Sequence, residues 1–375
     1  MEYVATCLFG IERLLAEEIE ALGYKRTETM DGRITFEGDE YTMARCNLWL
    51  RTAERLYVKI GSFEADSFDS LFEGTKSLPW EQWLDKNACF PVTGHSLKSK
   101  LFSVPDCQAI IKKAVVERLK SKYGINWFEE SGAKYRIEFF IFNDKVTLMI
   151  DTSGTPLHKR GYRLASNDAP LRETLAAALV KLSRPREGVL FWDPFCGSGT
   201  IPVEAALMMT NTAPGLSRSF AAEEFAFVTK NIFSEARKEA EAAKISAEGF
   251  EAYASDIDPK FLSITKGNIR RAGVGKYVKA FVAKALDITT EGRRGTVVCN
   301  PPYGERLSDR ADCEKLYAAM GEQFAKLGAW QIYILSSHED FESLYGRKAD
   351  KVRKLYNGMI KCNYYQYFRT PKREG

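Results

Sequence analysis

Two segments of this chain combine residue types and spacings that fit chemistry: Asp193-Pro194-Phe195-Cys196-Gly197-Ser198-Gly199-Thr200 and Asn300-Pro301-Pro302-Tyr303. In the first, Gly197 and Gly199 let the backbone turn tightly and approach a ligand where a Cβ would collide. The apolar run behind it, Ile201 to Met209, predicts a helix. Its first turn would offer unpaired N–H groups and a positive dipole end, suited to a carboxylate or phosphate. The loop lacks the third glycine of GxGxxG and the lysine of a phosphate loop, so neither fingerprint fits. In the second segment, the Asn300 side-chain oxygen and the Pro301 carbonyl are two acceptors able to hold the N–H groups of an exocyclic amine. They would turn its lone pair, otherwise delocalised into a ring, toward an electrophilic methyl carbon. Proline stiffens the loop, and Tyr303 offers a face to a flat base. Such catalysis is positioning and electrostatics, with neither metal nor covalent intermediate. An ordinary tight turn and a strand-end aromatic are the bland alternatives for each half alone; the pairing is far more specific.

Strands must hold both segments at one edge. Candidates are 189–192, 251–255, 278–283, 296–299 and 330–336, alternating with helices in the manner of a doubly wound sheet. Asp256 ends the second of these, where an acid can accept hydrogen bonds from a ribose. Asp258, followed by Pro259, reads instead as a helix N-cap. Asp287 follows the third strand and could meet an adenine amino group; Ala285 occupies the other position of that loop that suits an acid. The chain ends with Val352 to Tyr356, the turn dipeptide Asn357-Gly358, and Met359 to Phe368. A terminal antiparallel hairpin is unusual for nicotinamide-type domains and is the habit of methyltransferases built around S-adenosylmethionine. Between the first helix and the second strand, 211–249 reads as an insertion.

The N-terminal part is α+β. Residues 1–60 alternate strand, helix, strand, helix, strand, which suggests a ferredoxin-like unit. Residues 61–155 form a second small unit, with a helix capped by Asp106 and running to Tyr123, then a hairpin across Asn143-Asp144. A polar connector, 152–168, leads into the C-terminal part.

At 375 residues the chain is long for a single core, and 45% hydrophobic content fits an ordered globular protein. No apolar run approaches a membrane span and the start resembles no leader, so a soluble cytoplasmic protein is expected. Eight scattered cysteines without CxxC, and only three histidines, argue against a disulfide framework or a zinc site. Cys196 and Cys299 beside the proposed cleft read as packing residues, since no neighbouring histidine supports a thiolate. The net charge of +4 is unevenly placed: 98–122 carries seven Lys/Arg against two acids, and 345–375 carries nine against two, among several tyrosines. Such stretches favour a polyanion, although solvated faces and a buried tyrosine-rich strand would account for either one alone.

With Asp193 to Thr200 and Asn300 to Leu307 (NPPYGERL), the chain resembles the class I RNA guanine-N2 methyltransferases that carry an N-terminal THUMP domain, in particular the RlmL type acting on 23S ribosomal RNA. The stretches Leu157-His158-Lys159-Arg160-Gly161-Tyr162-Arg163, Ala169-Pro170-Leu171-Arg172-Glu173, Ala213-Pro214-Gly215-Leu216 and Arg218-Ser219-Phe220 are similar to the same family. The resemblance implies an α/β chain of three domains: ferredoxin-like (1–60), an RNA-gripping THUMP domain (61–155) and a class I Rossmann-like methyltransferase (165–375). It implies S-adenosylmethionine as cofactor, held by Asp193, Phe195, Gly197, Gly199, Asp256 and Asp287, with the substrate amine at Asn300, Pro301 and Tyr303. Some relatives carry a second module for a guanine N7; this chain has one, so that second activity is expected to be absent. The same chemistry on transfer RNA, or on an adenine N6 or a protein glutamine, stays open at this point, as does the oligomeric state.

Overall fold

The computed structural model describes residues 1–163, 171–304 and 307–368, with side chains omitted at 307–309. Ala169-Pro170, Glu305-Arg306 and the basic residues beyond 368 lie outside them. The chain forms two compact units. One comprises Met1–Cys7, Ala16–Leu157 and Arg218–Glu239; the other comprises Leu8–Leu15, His158–Ser217 and Ala240–Gly375.

The first unit is built on one continuous sheet. Its strands are β1 (Glu2–Cys7), β2 (Arg26–Met30), β3 (Arg33–Glu37), β4 (Ala53–Glu64), β5 (Val92–Leu97), β6 (Ile137–Phe142) and β7 (Lys145–Asp151). Their order is β2-β3-β1-β4-β7-β6-β5. Residue 60, where the sequence reading divides two domains, lies inside β4. That strand pairs antiparallel with β7 from Tyr57↔Asp151 to Glu64↔Lys145, so ferredoxin-like and THUMP strands share one hydrogen-bonded ladder. Alternate residues Ile34 and Phe36, Ile137, Phe139 and Ile141, and Val146, Leu148 and Ile150 are all buried, as period-two strands with a covered face require. The β6–β7 turn has Asn143 and Asp144 both at positive φ (50° and 61°), the pattern of a type I′ hairpin. Asp106 does not cap its helix. The N-cap is Ser103, the helix runs Val104–Tyr123, and Asp106 sits in its first turn accepting a hydrogen bond from the Ser103 hydroxyl at 2.6 Å. Pro105, tolerated in a first turn because that N–H has no partner anyway, moves the start upstream.

The basic stretch 98–122 is largely neutralised within this unit. Lys100 meets Asp66, Lys112 meets Glu130, Arg118 and Lys122 share Glu81, and Lys120 meets Glu117. Arg118 holds the Glu81 carboxyl down to about 2. The matching acids come mostly from outside the stretch, so charge counted along the chain overstates its free positive field.

The segment 218–239, read from sequence as part of an insertion in the C-terminal part, folds into the first unit. Phe225 stacks on Tyr135 with centroids 4.3 Å apart, the Ala226 N–H donates to the Tyr135 hydroxyl at 2.7 Å, and Phe227 packs edge-on to Trp83. At its far end Glu239 accepts from Tyr41 and Arg45. Its phenylalanines need apolar partners, and the rings of the first unit supply them.

The second unit is an α/β sheet of β8 (Leu190–Asp193), β9 (Ala252–Asp256), β10 (Val278–Val282), β11 (Gly295–Cys299), β12 (Gln331–Ser336), β13 (Lys351–Asn357) and β14 (Ile360–Tyr367). The order is β10-β9-β8-β11-β12-β14-β13; the first five are parallel, and β14 runs antiparallel to both of its neighbours, β12 and β13. This is the Rossmann-like methyltransferase fold with a terminal hairpin. Strand order reverses between β8 and β11, which makes their carboxyl ends the natural crevice. Tyr364, Tyr365 and Tyr367 are buried, so these tyrosines of the C-terminal basic stretch belong to the core. Asn357 and Ile360 are themselves paired, so the turn residues are Gly358 and Met359 rather than Asn357 and Gly358. Gly358 alone has positive φ (63°), as a type II′ turn demands at its first central position. Among the described residues no helix is long and apolar enough to cross a membrane, and no cluster of side chains suits a metal ion.

Candidate active site

The carboxyl ends of β8, β9, β10 and β11 surround a cavity of about 640 Å³ in the second unit. Such a volume suits a nucleoside-sized ligand with room for a second group. Phe195, Gly197, Asp256, Asn300, Pro301 and Tyr303 all line it. The loop after β8 is locked by backbone pairing: the Cys196 N–H donates to the Ser255 carbonyl at 2.9 Å and the Gly197 N–H to Asp256 Oδ2 at 2.9 Å. Asp256 Oδ1 accepts from the Asp258 N–H at 3.0 Å. Each Asp256 oxygen therefore keeps acceptor capacity toward the cavity, which fits a ribose diol. Asp258 caps the helix Pro259–Arg271 by accepting from the Lys260 N–H.

Asp193, Gly199 and Asp287 are not among the lining residues. Asp193 is buried and accepts from the Phe195 N–H at 3.1 Å, shaping the loop from beneath; burial, reinforced by the Asp256 charge, pushes its carboxyl well above the usual range. Gly199 (φ 77°) packs on the helix Pro259–Arg271, and a Cβ there would lie 2.7 Å from Thr265 Cγ2. Left-handed backbone and crowding act together, so Gly199→Ala should lose about 1–3 kcal/mol of stability and bind S-adenosylmethionine more weakly, as melting and calorimetry would report. Asp287 is exposed, and the wall beside it is Lys284, Ala285 and Leu286. Sequence reasoning missed Ile257, Phe261, Leu286 and Leu316, which give the cavity its apolar surface. Ile257 is 64% exposed between two acids, the one signal that could have flagged it.

Asn300 directly follows β11. Its Oδ1 accepts from the Tyr303 hydroxyl at 2.5 Å, and the Tyr317 hydroxyl donates to the Pro302 carbonyl at 2.6 Å. The proline loop is thus tied at both ends. Burial pushes the Tyr303 phenol well above its ordinary value, so it remains a donor. It occupies one lone pair of the Asn300 oxygen and leaves the other for an amine N–H. Cys196 and Cys299 are buried, and burial also raises their thiols well above the usual range, which leaves them as packing groups.

A buried polar network braces the glycine loop. Arg160 Nε lies 3.2 Å from Glu204 Oε1, both buried, and the Tyr162 hydroxyl donates to the same oxygen at 2.9 Å. Arg163 reaches Glu173 and Thr200, Arg271 donates to the Tyr162 carbonyl, and Asn268 donates to the Ser198 carbonyl. Glu204 is the only charged residue of the apolar helix Thr200–Met209, which is a sequence sign of a buried partner.

Residues 160–366 match the RMKL-like methyltransferase domain, 2–57 the RlmL ferredoxin-like domain and 65–151 the THUMP domain. The chain is 46% identical to the Bacillus subtilis protein named "Putative RNA methyltransferase YpsC", over 97% of this chain and 95% of that one. It is 32% identical to the ribosomal RNA large subunit methyltransferase K/L of Psychromonas ingrahamii, over 100% of this chain but 51% of that protein. The chain therefore spans about half the length of that relative. The crystal structure of SMU.472, described as "a putative methyltransferase complexed with SAH", superposes with a TM-score of 0.91 at 39% identity, covering 98% of this chain and 97% of that one.

Proposed function

The chain belongs to the RMKL-like family of S-adenosylmethionine-dependent RNA methyltransferases, and from that premise we propose that it methylates the exocyclic N2 of a guanine in 23S ribosomal RNA. The observation that carries this reading is the braced Asn300 acceptor on the wall of the same cavity as Asp256. Phe195, Gly197, Asp256, Ile257 and Leu286 would hold S-adenosylmethionine, with Asp193 and Gly199 shaping the loop and Asp287 at its outer edge. When bound, that cofactor supplies an electrophilic methyl group on a sulfonium. The Asn300 oxygen and the Pro301 carbonyl accept the two amine hydrogens, which withdraws the lone pair from conjugation and aims it along the line of attack. Tyr303 fixes Asn300 and borders the bound base. Preorganised acceptors of this kind cost no reorganisation at the moment of transfer.

Residues 1–60 and 61–155 would grip the RNA and 165–375 would perform the transfer. The ribosomal target is supported by the names of the K/L relatives, and the ferredoxin-like and THUMP matches weigh against a protein glutamine or DNA adenine. Mass spectrometry of nucleosides from a deletion strain tests the reading. N2-methylguanosine should fall in 23S RNA and be unchanged in transfer RNA; the reverse would move the substrate to transfer RNA.

A further inference from the structure

Taking a guanine out of a stack costs a few kcal/mol, whereas one aromatic contact returns about 1–3 kcal/mol. Tyr303 is the aromatic at the amine site, and its hydroxyl is already committed to Asn300. Something else must keep the vacated stack from closing on the base.

The terminal hairpin borders the cavity. Asn357 and Ile360, the paired residues flanking its turn, both line the wall that also contains Asn300 and Tyr303. The Tyr303 hydroxyl also lies 3.7 Å from Cys362 Sγ on β14. Between Asn357 and Ile360 stand only Gly358 and Met359. With Gly358 absorbing the positive φ, Met359 is held out at the tip, 97% exposed, the most exposed large hydrophobic among the described residues. The hairpin behind it is paired, packed and cationic. Tyr356 packs edge-on against Phe9 with centroids 6.0 Å apart, Lys354 Nζ lies 5.4 Å from the Tyr356 ring, and Lys361 pairs with Tyr356 across the ladder.

We propose that Met359 is an RNA wedge: it enters the base stack at the position the target guanine leaves and holds the extracted base in the cavity, while Lys354 and Lys361 meet the flanking phosphates. An unbranched, polarisable thioether suits an irregular gap between bases, and apolar wedges of this type prise steps apart elsewhere. A two-residue turn joined directly to the cavity wall links the inserted side chain to the base it displaces. The wedge rests on the guanine reading above.

Single-turnover methylation of 23S RNA from a deletion strain, with labelled S-adenosylmethionine and the full chain, tests it. Met359→Ala should lower the saturating rate about tenfold while the half-saturating RNA concentration moves less than about threefold, the split expected of a group acting on extraction rather than encounter. Cofactor affinity and melting temperature should stay at wild-type values, Met359→Leu should restore the rate, and Met359→Ser should not. A Met359→Ala rate within about twofold of wild type would overturn the wedge, as would an effect confined to half-saturation or a failure of leucine to rescue. A wild-type enzyme that left the RNA unlabelled would remove the guanine reading, and the wedge with it, before any variant was compared.

Discussion

Asn300→Ala should slow methyl transfer by about 10²–10³-fold while leaving S-adenosylmethionine affinity within about threefold, because the lost acceptor acts on the reacting amine and not on the cofactor. The side chain lies on the cavity wall, its oxygen already oriented by the Tyr303 hydroxyl at 2.5 Å. Alanine removes the acceptor and also leaves the buried phenol without its partner. Tyr303→Phe separates these effects: the acceptor stays but loses its brace, so a smaller loss of about tenfold is expected. Labelled-methyl incorporation alongside calorimetric titration of the cofactor would check both. Equal losses of rate and cofactor affinity in Asn300→Ala would place the residue on the cofactor instead.

The second large effect is on stability. Glu204→Ala should cost about 3–5 kcal/mol, because it takes the Glu204 carboxylate from the buried Arg160 guanidinium and the acceptor from Tyr162. Denaturant unfolding would read it. Replacing Arg160 and Glu204 together by methionine and leucine should cost less than Glu204→Ala alone, since no charge is then left unpaired in the interior. Glu204 lies one turn into the helix that the glycine loop opens, so the single variant should also weaken cofactor binding.

What could be read from residues alone was whatever is local. The parallel strands of the second unit are short apolar runs between turn signals, and each proposed strand is present within a residue or two. Asp258 carried its own capping signature in Pro259. The two chemical segments lie at the ends of strands adjacent in the sheet, which topology dictates once the order is known. Illegible features depend on partners distant in sequence. β2, RTETM, has no buried side chain and therefore no alternation to detect. The β4–β7 pairing is a backbone ladder with no motif. The lysines of 98–122 look like a free patch until Asp66, Glu81 and Glu130 are placed beside them. The turn falls at Gly358-Met359, one residue beyond the Asn-Gly signal, because Asn357 is held in the ladder opposite Ile360.

The division of the first unit between distant stretches of chain has a consequence in time. Tyr135 and Trp83 are made early, but Phe225 and Phe227, which cover them, follow only after the β8 strand and the glycine loop have been synthesised. At ~5–20 residues per second, the stretch from Leu157 to Glu239 takes roughly 4–16 s to emerge, during which these rings lack their final partners. A fragment ending at Leu157 would keep them uncovered permanently and should aggregate when expressed alone. A ribosome making this protein must therefore begin the second unit before the first can finish folding.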